Sequence, residues 1–305
     1  MNKKKIVILT GTGGDLGTGH LQRMMNLASY MNEKHDFEIS LLIKSGDYPL
    51  PPELSMMKIS SLPGSCDLII RDMRNSSKQE MLALSGTAPV LAVDDAGEGK
   101  NSAGNSIDLL PLPLSSSAQI QADYCRFLYG YTFKQGIKEL RDENIQKRDI
   151  DVTIYAGFSP LESLLSQISK SIPENTRVVI LSAGKPVVLT GDPLPDKISY
   201  SAILARTKIV MTHFGITMFE AHICGCEIAA LNPTNYHSEL TGTVRRDMKI
   251  IHSAEYANFD PVIMSDDLML NLKKSNFPVL SPEDILDKIN NGLENFTRYI
   301  YKILM

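Results

Sequence analysis

Tryptophan is absent, cysteine occurs only four times, and neither sign of charge dominates this 305-residue chain. Each shortage excludes something. Thiols at positions 66, 125, 224 and 226 do not make the spaced framework of a small disulfide scaffold. Cys224-Gly-Cys226 has no second pair near it, so it reads as buried thiols at a helix end rather than half of a metal site. No metal and no cofactor is expected. A formal net charge of −4 leaves no electrostatic footprint for nucleic acid, which is not an expected partner. No stretch approaches the roughly 20 apolar residues that cross a bilayer, and the apolar run in MNKKKIVILT is too short for a secretory leader. A cytoplasmic protein without a transmembrane segment is expected.

What is present is an ordinary globular composition, 43% hydrophobic and 22% charged, with enough length for two domains. Strand-like apolar runs alternate with helical periodicity, the mark of parallel sheets built from βα units. The spacing predicts strands at 5–10, 37–43, 67–71 and 89–93, then at 151–155, 177–181, 208–211 and 227–231. It predicts helices at 20–31, 160–169, 199–205 and 216–224. The charged stretch KQGIKELRDENIQKRD suggests a boundary near Lys147. The expected domains are thus 1–147, carrying a catalytic loop, and 148–305, binding a nucleotide. In the C-terminal segment Ser281 caps a helix with an apolar stripe, and Asn290-Asn291-Gly292 is expected to kink or break it. That stripe crosses back to the first domain or makes a dimer; the oligomeric state stays open.

The most informative stretch is TGTGGDLGTGHLQRMMNLA, from Thr10 to Ala28. The dinucleotide pattern G-x-G-x-x-G fails at Leu16 and again at Gln22, and a P-loop lacks its lysine because His20 follows the last glycine. What remains is a glycine turn at the carboxyl end of the first strand, where open α/β sheets place their ligands. His20 falls in the first turn of the next helix, whose positive end disfavours imidazolium. A neutral imidazole there is a candidate base; otherwise it satisfies loop backbone. Asp94 and Asp95 end another strand in VLAVDDAGEG, and they either orient a catalytic group, recognise a sugar, or cap their own turn. Asp72, at the end of DLIIRD, has the same ambiguity. Asp149-Ile-Asp151 imitates a metal-binding D-x-D by chance.

LGTGHLQRMMNLASYM resembles the G-x-G-H-x-x-R-x-x-x-L-A signature of PseG-like UDP-sugar hydrolases and the related spore-coat polysaccharide proteins. More distantly it is similar to the GT-B glycosyltransferase of lipid II synthesis. Further blocks, from DLIIRD through FLYGYTFKQGIKELRDE and DVTIYAGFSPLESLLSQIS to ARTKIVMTHFGITMFEAHICGCEIAALNP, follow in the family's order. The resemblance implies an α/β GT-B fold, two Rossmann-like parallel-sheet domains facing a central cleft. It implies that His20 is the catalytic base; Asp94 and Asp95 stay further catalytic candidates from their place at a strand end. Gly157, Gly215, Ile216, Thr217 and Glu220 would bind the nucleotide, Glu220 accepting from the ribose hydroxyls. Gly17, Gly19, Arg23, Tyr236 and His237 would lie on the sugar side.

Three features depart from the family pattern: Ala156 replaces a glycine, the loop after Leu231 reads NPTNYHSELT where Asn-Gln is usual and so puts Tyr236 and His237 at the sugar or nucleotide edge, and His213 replaces a small residue. The expected activity is processing of a UDP-sugar by hydrolysis of its anomeric C–O bond, releasing UDP. A glycosyltransferase passing the sugar to a glycan or lipid, and an inactive nucleotide-sugar binding protein, are the alternatives.

Overall fold

The computed structural model describes residues 3–13, 17–44, 48–112, 123–142, 147–155, 166–169, 172, 175–182, 185–274 and 276–305. The chain divides into two units. The first takes residues 1–112, 118–132 and 289–305, and the second takes 113–117 and 133–288.

The first unit is built on six parallel strands in the order β3-β2-β1-β4-β5-β6. They are β1 (Lys4–Gly11), β2 (Phe37–Lys44), β3 (Lys58–Ile59), β4 (Leu68–Asp72), β5 (Val90–Val93) and β6 (Gly104–Ile107). The four strands expected from sequence are β1, β2, β4 and β5. Their central members are buried on both faces, which is why they read as continuous apolar runs. Strands β3 and β6 are edge strands, too short and too polar to announce themselves.

Helix α1 (Gly19–Lys34) follows β1 and buries Leu21, Met24, Met25, Leu27, Ala28 and Met31. Helices α2 (Pro52–Ser55) and α3 (Lys78–Ser85) complete the described α-helices before the boundary, α3 opening with the Ser77 hydroxyl on the Glu80 amide.

In the second unit the order is β12-β11-β10-β7-β8-β9, all parallel except β9, which runs against β8. Its strands are β7 (Ile150–Tyr155), β8 (Val178–Ser182), β9 (Lys185–Thr190), β10 (Thr207–Thr212), β11 (Glu227–Asn232) and β12 (Ile250–Glu255). Helix α4 (Tyr131–Glu139) begins in the first unit and enters this one at Phe133. The others are α5 (Tyr200–Arg206), α6 (Ile216–Ile223), α7 (Asn235–Val244), α8 (Pro261–Leu272) and α9 (Pro282–Leu304). Of the helix expected at 160–169, the described residues 166–169 are helical and the rest lie outside the described set.

Two features differ from expectation. The change of unit comes at Thr132–Phe133, upstream of Lys147. Helix α4 buries Phe133 and Ile137, and Gly136 sits so close that an added Cβ would stand 2.5 Å from the Ser201 hydroxyl. That helix is core, with a charged outer face. Nor does Gly292 break α9, which is continuous over 23 residues. A Cβ at Gly292 would lie 2.3 Å from the Phe127 carbonyl oxygen, so the glycine lets α9 meet that backbone. From Ile289 onward α9 belongs to the first unit, burying Leu293, Phe296 and Ile300 and accepting the Tyr30 hydroxyl at Glu294, 2.8 Å away.

Candidate active site

At the carboxyl end of β1 the chain turns through Gly13 and Gly17, whose φ angles of 88° and 62° are left-handed. The Thr12 hydroxyl and the Gly13 amide both donate to the Gly17 carbonyl, at 3.0 and 3.1 Å, closing the turn. Open space surrounds the Cβ position of both glycines, so conformation rather than crowding requires them. Gly19 then starts α1, putting His20 and Arg23 one turn apart on its buried side.

Strand β4 brings Asp72 to both. Its Oδ1 lies 2.7 Å from His20 Nδ1, and its Oδ2 accepts from Arg23 Nε at 2.6 Å while Arg23 Nη2 reaches Oδ1. All three side chains are buried. Burial disfavours the carboxylate, but Arg23 and then His20 outweigh it and hold Asp72 down at about 2. Arg23 is held cationic in the same way, against its own burial, by Asp72 and Asp94. An ionised Asp72 can only accept, so the His20 Nδ1 carries the hydrogen and the lone pair of the neutral ring sits on Nε2. Nε2 has no partner among the described residues. A buried carboxylate orienting an imidazole in this way is the arrangement that makes histidine a directed base.

The paired aspartates after β5 have separate engagements. Asp94 Oδ1 accepts from the amides of Leu109 and Leu110 at 2.7 and 2.9 Å, and its Oδ2 lies 2.6 Å from Arg23 Nη1. Asp95 accepts from the amides of Ser76 and Gly97 and from Arg71 Nη1. Arg71, fully buried, also binds Glu80 through both Nε and Nη2.

In the second unit the expected nucleotide residues cluster after β10. Gly215 caps α6, and Thr217 and Glu220 lie on its buried side. Asn232, ending β11, fixes this turn by accepting from the Phe214 amide and from the Thr241 hydroxyl, each at 3.1 Å. Glu220 Oε2 accepts from the Tyr200 hydroxyl at 2.9 Å. Burial, then the nearby Glu220 charge, pushes the Tyr200 phenol well above its usual range, so it stays a donor. The three departures from the family pattern come together in part. The His213 and His237 rings are 6.2 Å apart, and Tyr236 packs edge-on to His237 at 5.7 Å. The Thr234 hydroxyl lies 2.7 Å from His237 Nδ1. Burial lowers the His213 proton affinity. Ala156 and Gly157 lie outside the described residues.

Tyr200 and Asn232 are neighbours of the candidate residues that the sequence did not single out, and Asp72, weighed there beside Asp94 and Asp95, is the carboxylate that meets His20. Among the described residues no group of three or more His, Cys, Asp or Glu side chains could hold a metal ion, and no helix is long and apolar enough to cross a membrane.

No family model and no curated protein matches the chain. Solved structures do. The calicheamicin glycosyltransferase CalG4 aligns over 100% of this chain and 99% of its own, with a TM-score of 0.58 and 11% identity. The fold is that of the GT-B glycosyltransferases. The glycotransferase of kitacinnamycin aligns over 100% of both chains, at TM-score 0.57 and 12% identity. The spinosyn rhamnosyltransferase SpnG, solved with thymidine diphosphate, covers 97% of this chain and 100% of its own at TM-score 0.54 and 12% identity. At such identities these likenesses carry the α/β two-domain GT-B architecture and leave the chemistry to the residues.

Proposed function

We propose that this protein is an enzyme that breaks the anomeric C–O bond of a nucleotide-activated sugar, with His20 as general base. The observation that carries the reading is the buried His20–Asp72 pair, 2.7 Å apart, which puts the hydrogen on Nδ1 and leaves the Nε2 lone pair to take a proton. His20 takes the proton of an incoming O–H. The oxygen bonds to the anomeric carbon, and the bond from that carbon to the diphosphate oxygen breaks with its electron pair leaving on the diphosphate. Gly17 and Gly19 shape the turn on the sugar side. The second unit binds the nucleotide: amides at Gly215, Ile216 and Thr217 open α6 toward the diphosphate, Glu220 accepts the ribose hydroxyls, and Tyr236 and His237 border the ligand. Arg23, expected on the sugar side, instead serves the dyad.

The incoming O–H belongs to an acceptor in the transferase reading, which the likeness to CalG4 and SpnG supports. It belongs to water in the hydrolase reading, which the G-x-G-H-x-x-R signature supports. The experiment is nucleoside diphosphate release from UDP-glucose, UDP-N-acetylglucosamine and dTDP-glucose, with and without added glycan, lipid or small-molecule alcohol acceptors. Release from a nucleotide sugar alone establishes hydrolysis, and release that needs an acceptor establishes transfer. Stabilisation by UDP or dTDP in thermal unfolding with no release under any condition would leave a binding protein and refute the enzyme.

A further inference from the structure

The His20–Asp72 pair uses only part of the charge buried beside it. Arg23 is clamped between two carboxylates, bidentate to Asp72 on β4 and ion-paired at 2.6 Å to Asp94 after β5. The side chains of Arg23, Asp72 and Asp94 all have less than a tenth of their surface exposed. The backbone at Asp94 has φ of 48°, a left-handed conformation that Asp and Asn enter far more readily than other side chains. Two backbone amides on its Oδ1 hold the carboxyl group in place. The neighbouring Arg71 and Asp95 form a separate couple with Glu80; Arg71 and Asp72 are consecutive on β4 and so point to opposite faces.

Among the described residues His20 touches Arg23 on its own helix and Asp72 on β4, and Arg23 in turn meets Asp94 after β5; the further carboxylate acting on Asp94, Asp108, is itself paired with Lys100. Two carboxylates stand against one guanidinium. With a neutral imidazole this buried cluster carries one unmatched negative charge, and with an imidazolium it is balanced. An unmatched charge at such burial is costly.

We propose that Asp94 is a positioning residue that acts through Arg23, supplying the buried negative charge that the His20 imidazolium neutralises after the ring takes the nucleophile's proton. The proposal rests on the reading of His20 as base, but it has a readout that needs no turnover. Asp94→Asn is the clean variant. Asparagine keeps an acceptor oxygen for Leu109 and Leu110 and tolerates the positive φ, while its NH2 replaces the oxygen that Arg23 meets, so the variant removes the charge together with its ion pair to Arg23.

The experiment is an NMR titration of the imidazoles of the full chain, with the His20 signal assigned by its loss in His20→Asn. In Asp94→Asn the His20 midpoint is expected to move to lower pH by about one unit, a tenfold loss of proton affinity. The double variant Arg23→Gln/Asp94→Asn, which removes one charge of each sign, should bring the midpoint back toward the wild type. It also serves if the single variant does not fold. An unmoved midpoint in Asp94→Asn, or a double variant that moves further in the same direction, overturns the proposal. Kinetics separate this from the reading beneath it. Full activity in His20→Asn refutes the base, whereas an inactive His20→Asn beside an unmoved Asp94→Asn titration refutes the charge balance alone.

Discussion

At the scale of single residues, the proton held by each group decides what the site can do. Asp72 has a folded-state value of about 2, below its ordinary 3.8, so the native state binds its proton later than the unfolded chain does. The sign follows: Asp72 contributes stability above about pH 4, and that contribution is lost as pH falls toward 2. The shift corresponds to something on the order of 2 kcal/mol. Urea midpoints measured from pH 6 down to pH 2 should therefore fall more steeply for the wild type than for Asp72→Asn. Parallel curves would show that the ion pair with Arg23 is not worth its burial. At Glu220 the expected result concerns binding. Glu220→Gln keeps the Tyr200 contact through its amide oxygen but loses the charge that strengthens bonds from a diol, so calorimetry should show UDP or dTDP affinity reduced about tenfold. Unchanged affinity would take Glu220 out of the nucleotide site.

The elements show where local sequence carries structure and where it does not. Apolar spacing gives α1 its buried face, and the glycine turn before it places His20 in its first turn. Asp72, by contrast, is 52 positions from His20 in sequence and looks no different from Asp94 or Asp95 at other strand ends. Only the adjacency of β1 and β4 selects it, and strand order is not written in any local pattern. Gly292 misleads for a similar reason. Asn-Asn-Gly is poor in helix propensity and reads as a break, yet the partner that explains it, the Phe127 carbonyl, is remote in the chain. Gly292→Ala is a sharp test of that explanation. Helix propensity alone would stabilise the protein by about 1 kcal/mol, whereas the clash should destabilise it by about 1–3 kcal/mol. A raised urea midpoint would contradict the close approach.

At the scale of the whole molecule, alternation of βα units made the two-sheet architecture legible, because central parallel strands must be apolar on both faces. The unit boundary was less legible. Charge in KQGIKELRDENIQKRD suggested a linker, but α4 within it is amphipathic, and its apolar side, Phe133 and Ile137, belongs to the second unit's core. The place of α9 from Ile289 onward in the first unit follows from its stripe of Ile289, Phe296 and Ile300, which was visible, and from its contacts with Tyr30 and the Phe127 backbone, which were not. The account depends on two units with separate tasks, nucleotide binding in one and base catalysis in the other. The measurement that tests this most directly is a paired one on His20→Asn: dTDP or UDP affinity by calorimetry, and diphosphate release from the nucleotide sugar that the wild type turns over. The expected result is affinity within twofold of the wild type and release slowed by roughly 100- to 10,000-fold. Release at the wild-type rate from the folded variant would contradict the account.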